Sequence, residues 1–231
     1  WVSEEVAPIF QSAIDAAKLD AKVEAASGGV LLIEYAALTT GTGYVLPRVL
    51  LEFGARATGA PAERRTIICD AAPHVPQLAF PAAEPRVMLA TRTFWEKATA
   101  IHVFCRQGRF RGGDRFARHW YDLVRLDDVG SADEAIADTK LAWDVAHHKQ
   151  LFFAEKGEDG EAIDYTQVVS GGLLLAPKGA ARKALGEDYA QMVADGLILG
   201  EAPTFDALMD ICEAIAEKAN ASQLHSAEVQ G

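Results

Sequence analysis

The sequence predicts an α+β protein: a small sheet region over residues 1–90, followed by a helical region over 91–231. Two observations carry this expectation. Between residues 30 and 56, "VLLIEY" and "YVLPRVLLEFGAR" are short β-rich runs on either side of the Thr/Gly turn "TTGTG". From residue 90 onward, apolar residues recur every three or four positions in successive segments, the period of helices that bury one face. Half of the 231 residues are apolar, enough for a substantial core.

Residues 3–26 place Val6, Ile9, Phe10, Ile14 and Leu19 on one side, which predicts an amphipathic helix. Gly28-Gly29 then leads into "VLLIEY", and the spacing predicts an antiparallel partner in the next run. Proline lacks the N–H that a ladder needs, so this second strand is expected to begin after Pro47, at Arg48. Prolines 61, 73, 76, 81 and 85 leave residues 57–85 as loop with short strand or helical turns. "RVMLA" gives one more strand, and Thr91 or Thr93 is the expected cap of a helix that runs to Gln107. Further helices are expected over 113–127, 131–150, 178–195 and 204–220. No internal repeat or low-complexity segment occurs.

Composition excludes several classes. No run of about 18 apolar residues exists, and "VLLIEYAAL" is interrupted by Glu34, so no membrane span is expected. Cys69, Cys105 and Cys212 are far apart and lack C-x-x-C spacing, which argues against a disulfide framework or zinc knuckle and suits a reducing cytoplasm. The first ten residues lack both the basic and the apolar region of a signal peptide, and the chain does not begin with Met, so its beginning is expected to be processed or missing. A net charge of −11 opposes general attraction to a phosphate backbone. Locally the balance reverses: "RQGRFRGGDRFAR" sets Arg106, Arg109, Arg111, Arg115 and Arg118 against Asp114 alone, either as a solvated charge run or as a site for a polyanion.

Three charged residues stand among apolar neighbours. Glu52, flanked by Leu50, Leu51 and Phe53, is either a solvent-facing strand residue beside Arg48 or Arg56, or a carboxylate that binds a metal or acts as a base. In "TRTFWEKATAIH", Glu96 and Lys97 are adjacent and point about 100° apart on a helix, so they are not each other's partners. Glu96 shares a face with Arg92 at i−4. Lys97 falls among Phe94, Ile101 and Phe104, where it either snorkels or meets an anion such as Asp122 or a phosphate. Asp122, in "ARHWYDL", has Arg118 at i−4 and Arg125 at i+3, the spacing of plain surface pairs. Its neighbours Trp120, Tyr121 and Leu123 suggest instead a helix buried on more than one side, from which Asp122 would position Lys97. The six histidines form no H-E-x-x-H or similar ligand pattern, and most are expected to be structural or exposed. No P-loop, G-x-G-x-x-G or G-x-S-x-G occurs.

Taken in order, "VLLEFGAR", "RTFWEKATAIH" and "ARHWYDL" resemble the AbiEii/AbiGii toxin family of nucleotidyltransferases, within the DNA polymerase β-like superfamily. The resemblance covers residues 30–130 well and the helical remainder loosely. It implies a small mixed sheet of the nucleotidyltransferase type, with a helical region completing the site. By its motifs, Glu52 takes the place of the third metal-binding acid, Lys97 that of the E-K lysine and Asp122 that of the Y-D-L aspartate, with Arg118 and Arg115 close by. The implied chemistry is transfer of a nucleotide from an NTP to an acceptor, for which RNA is the plausible choice. Mg²⁺ would be held by acids that include Glu52, the triphosphate by Lys97 and the arginines, while Asp122 orients Lys97 or assists the attacking hydroxyl. The resemblance further implies the toxin of a toxin-antitoxin or phage-defence pair, with a cognate antitoxin protein. The family's upstream Gly-Gly motif opening a helix and its D-x-D pair are not found in the chain. The expectation is therefore that the upstream part of the α/β region is absent from this sequence, and the alternative is a catalytically inactive module that binds nucleotide or protein through residues 106–118. A scaffold whose charges are all surface pairs is the third reading.

Overall fold

The computed structural model describes residues 1–41, 43–56, 58–109, 115–198 and 200–228, with backbone alone from 223 to 228. It divides into two compact units, one of Trp1–Thr58 with Ala194–Leu197, the other of Gly59–Val193 with Ile198–Gly231.

The first unit opens with a π-helical turn at Val2–Val6 and helix α1 (Ala7–Ala16), followed by strands β1 (Ala21–Ala26), β2 (Val30–Tyr35) and β3 (Arg48–Glu52) in the order β1-β2-β3. Both pairings are antiparallel, and β3 begins after Pro47, as the proline required. Residues 21–26 depart from the expected helix 3–26. Lys18 takes a positive φ of 54°, which ends the helical path, and "AKVEAA" pairs residue for residue with β2 from Ala21 opposite Tyr35 to Ala26 opposite Val30. A run of good helix formers is thus held as a strand by its neighbour, because the ladder bonds to β2 outweigh propensities of a few tenths of a kcal/mol. The turn between the strands needs Gly28 and Gly29, both at positive φ. The register also lines up Lys22, Glu34 and Arg48 across the three strands, alternating in sign. Gln11 of α1 accepts a hydrogen bond from the Val23 N–H (2.9 Å), so the helix closes the β1 side, and Leu31 and Ile14 are buried.

In the second unit, β4 (Ala62–Arg64) pairs with β7 (Arg86–Met88), and β5 (Ile67–Ile68) with β6 (Ala82–Ala83), both antiparallel. The described sheets are therefore small and wholly antiparallel, and all their strands lie in the N-terminal half, ahead of the helices from residue 90 onward, in keeping with the α+β class. A 3-10 turn at Ala72–His74 interrupts the proline-rich loop between β5 and β6.

Helix α2 (Ala90–Gln107) is the centre of this unit. Phe94, Trp95, Ala98 and Ile101 are fully buried, and the helix packs against α3 (Ala117–Asp128), α4 (Ser131–Ala137) and α5 (Thr139–Phe152). Its start differs from the expected threonine cap: it follows β7 directly, Leu89 occupies the cap position, and Thr93 Oγ1 donates back to the Leu89 carbonyl (3.1 Å). It ends at Gln107, where Gly108 turns left-handed at φ 62°. The helix expected over 131–150 is two, because Asp138 caps the second through its carboxylate, which accepts from the Leu141 N–H (2.9 Å). Helix α3 begins at Ala117, whose N–H donates to Asp188 (2.7 Å) on α6 (Gly179–Ala194). A 3-10 segment at Tyr165–Val169 and helix α7 (Phe205–Glu228) complete the unit. Two buried tryptophans fix the packing by their indole N–H groups: Trp95 donates to Ala135 O (2.9 Å) and Trp120 to Leu175 O (2.7 Å).

Candidate active site

The adjacent residues Glu96 and Lys97 take partners from different helices. Glu96 accepts from Arg92 (3.0 Å), one turn back on α2, and from Lys149 (2.5 Å) on α5. Arg92, 4 % exposed, also donates to the Ala60 carbonyl. Burial raises the Glu96 pKa, but the hydrogen bonds and charges of Lys149 and Arg92 outweigh it, leaving the carboxyl below its ordinary value. This trio is internal wiring of the helical unit.

Lys97 turns to α3. Its Nζ donates to Asp122 Oδ2 at 2.6 Å and lies 3.4 Å from His119 Nδ1. The lysine side chain is 23 % exposed and that of Asp122 44 %, so the ammonium sits part-way into the protein with its partner at the rim. Arg125, offered by spacing as a partner for Asp122, instead pairs with Asp128 (2.7 Å). His119 and Asp122 are three apart on α3 and share a face. Burial, and then the positive charges of Lys97 and Arg118, push the His119 pKa down to about 4, with Asp122 pulling the other way. The imidazole is thus neutral at neutral pH. Phe104 of α2 packs on it (ring centroids 6.0 Å) and is itself held edge-to-face by Phe116 (4.5 Å).

Sequence reasoning passed over His119 as structural or exposed; its position three residues before Asp122 was the available signal. Lys149 was also missed, since nothing local connects it to Glu96. Of the arginines, Arg118 is exposed on the first turn of α3, and Arg115, half-buried, precedes that helix at φ 52°. Arg106 pairs with Asp159 (3.3 Å). Arg111 and Asp114 lie outside the described residues. Glu52 ends β3 in the first unit, opposite Val30, and is exposed, so the burial penalty that singled it out in the sequence does not arise.

The described cysteines are free thiols, and burial pushes Cys105 and Cys212 up to about 12, which makes them inert. Among the described residues, no three His, Cys, Asp or Glu side chains gather where they could hold a metal ion, and no helix is long and apolar enough to cross a membrane. What the site offers is a fixed ammonium beside a carboxylate and a neutral imidazole, with arginines near the start of α3. Ammonium and guanidinium groups are side chains that can donate charge-assisted hydrogen bonds to phosphate oxygens.

No match was found among curated proteins or among solved structures. A family model described as "Nucleotidyl transferase AbiEii toxin, Type IV TA system" matches residues 1–211, which takes in β3, the E-K segment of α2 and the Y-D-L segment of α3. The chain belongs to the AbiEii nucleotidyl transferase toxin family of type IV toxin-antitoxin systems.

Proposed function

We propose that Lys97 binds the triphosphate of an NTP whose nucleotide is transferred to an acceptor hydroxyl, with RNA as the acceptor class. The observation that carries this reading is the Lys97–Asp122 pair, an ammonium fixed at 2.6 Å from a carboxylate and still partly open to solvent. In nucleotidyl transfer the acceptor oxygen attacks the α-phosphorus, the bond to the bridging oxygen breaks and pyrophosphate leaves. Charge builds on the phosphate oxygens, and positioned cations lower the barrier. Lys97 supplies such a cation, Arg118 and Arg115 extend it toward the outer phosphates, and Asp122 keeps the ammonium in place.

The resemblance assigns Mg²⁺ to this chemistry, with Glu52 among its ligands. The described residues do not fit that ion by themselves, since Glu52 is exposed and no metal-holding cluster forms among them. That same observation favours a second reading, a module that binds nucleotide without turning it over. A cognate antitoxin and a cytoplasmic setting belong to the same reading of the family.

The test is calorimetric titration of ATP, GTP, CTP and UTP with Mg²⁺ into wild type and Lys97→Ala, followed by transfer of label from α-labelled NTP to bulk RNA. Binding lost in the variant, with label appearing on RNA, supports the transferase. Binding without transfer supports the inactive module, and equal behaviour of the two proteins rejects the assignment of Lys97.

A further inference from the structure

We propose that His119 is a positioning residue for Lys97: its imidazole takes one N–H of the ammonium while Asp122 takes another, so that the third is left for an oxygen of a bound phosphate. The part about the phosphate rests on the nucleotide reading above; the part about the cradle rests on geometry alone.

An ammonium carries three donors and no acceptor. Lys97 uses one at 2.6 Å on Asp122, and a second points toward His119 Nδ1 at 3.4 Å. Because lysine only donates, Nδ1 must be the nitrogen with the lone pair, and the proton belongs on Nε2. A protonated ring would set two cations 3.4 Å apart and drive them away from each other, so the arrangement requires the neutral form. The surroundings of the ring favour that form: burial disfavours its charged state most, and Lys97 from α2 and Arg118 on α3 oppose a second positive charge more than Asp122 invites it. Phe104 flanks the ring on one side, and Phe116 packs in turn against Phe104.

A second acceptor has a use that one carboxylate does not. With Asp122 alone, the flexible four-carbon stem lets the ammonium rotate around a single exposed anchor. A neutral acceptor on the same helix face restrains it without changing the net charge presented to an incoming anion. Asp122 sets the charge balance, and His119 sets the direction.

Two variants separate this role from simple space filling. Asparagine in His119→Asn carries a side-chain oxygen near the place of Nδ1, whereas His119→Leu fills the volume with no acceptor. With inorganic tripolyphosphate as the probe, His119→Asn is expected to bind within about twofold of wild type and His119→Leu about tenfold more weakly, at matched circular dichroism. Equal affinity of both variants overturns the proposal. If wild type binds no tripolyphosphate, the nucleotide reading fails, and imidazole nitrogen NMR decides the cradle. The expected result there is Nδ1 unprotonated in wild type, with the low titration point of the ring moving upward in Lys97→Met. A protonated Nδ1, or a titration indifferent to that substitution, overturns it.

Discussion

Glu96 and Lys97 are consecutive on α2, yet Glu96 faces Lys149 on α5 while Lys97 faces Asp122 on α3. Neighbours on a helix point about 100° apart, and a helix packed on several sides turns that angle into contact with two different elements. One residue serves the fold and the other faces the candidate site, so their substitutions should separate cleanly.

Removing the Lys97 ammonium is expected to weaken NTP binding about tenfold, the loss of one charge-assisted contact of about 1.4 kcal/mol. Stability should change by no more than about 1 kcal/mol, because the pair sits at the rim with Asp122 well exposed. Parallel calorimetry and urea titration of Lys97→Ala check both. A large loss of stability with unchanged binding would make Lys97 a structural residue.

Glu96→Gln should behave in the opposite way. It leaves the buried Arg92 and the half-buried Lys149 without their shared counter-charge, at a cost of about 3 kcal/mol, and leaves NTP affinity intact. Because the folded pKa of Glu96 is depressed, its contribution is present above the ordinary value of 4.5 and is lost as pH falls through the folded value. The gap between wild type and Glu96→Gln in urea midpoint should therefore be wide at pH 7 and close on acidification.

His102 adds its own acid sensitivity. It is 2 % exposed, and its Nδ1 accepts from the Leu174 N–H (3.2 Å). Burial, reinforced by Arg106, pushes its pKa down to about 4 from 6.5. The unfolded chain thus binds more protons between those values, so stability is full above pH 6.5 and declines as pH falls toward 4. Between pH 7 and 5 this amounts to on the order of 2 kcal/mol. His102→Gln, which does not titrate, should show a shallower decline, and an unchanged pH profile would exclude His102 as its source.

In the first hairpin the two glycines should differ. Gly28 and Gly29 both have positive φ, so alanine at either is expected to cost about 1 kcal/mol from backbone strain. At Gly29 an added Cβ would also lie 2.7 Å from the Phe53 backbone oxygen, whereas at Gly28 nothing lies within 4 Å. Thermal unfolding should therefore show Gly29→Ala to be the more damaging; equal shifts would mean that the β2–β3 contact is looser than described.

The local signals in the sequence were those fixed by covalent chemistry or period. Pro47 set the start of β3 because it has no N–H to give. The 3.6-residue period located the helices, and the i−4 spacing of Arg92 and Glu96 gave their pair. Residues 21–26 and the break at Asp138 were less legible, since Ala, Lys and Glu favour helix until β2 supplies a ladder, and a single aspartate serves equally inside a helix or at its cap.

For the candidate site, the sequence by itself determined which charges stood among apolar neighbours: Glu52, Lys97 and Asp122. Tertiary structure decided which had a partner. It brought Lys97 and Asp122, 25 residues apart, to 2.6 Å, added His119 beside them and left Glu52 exposed at the end of its strand. The physical reason is that an ion pair between two helices depends on how those helices pack, and packing is set by buried apolar side chains such as Phe94, Trp95 and Trp120, not by the spacing of the charges themselves.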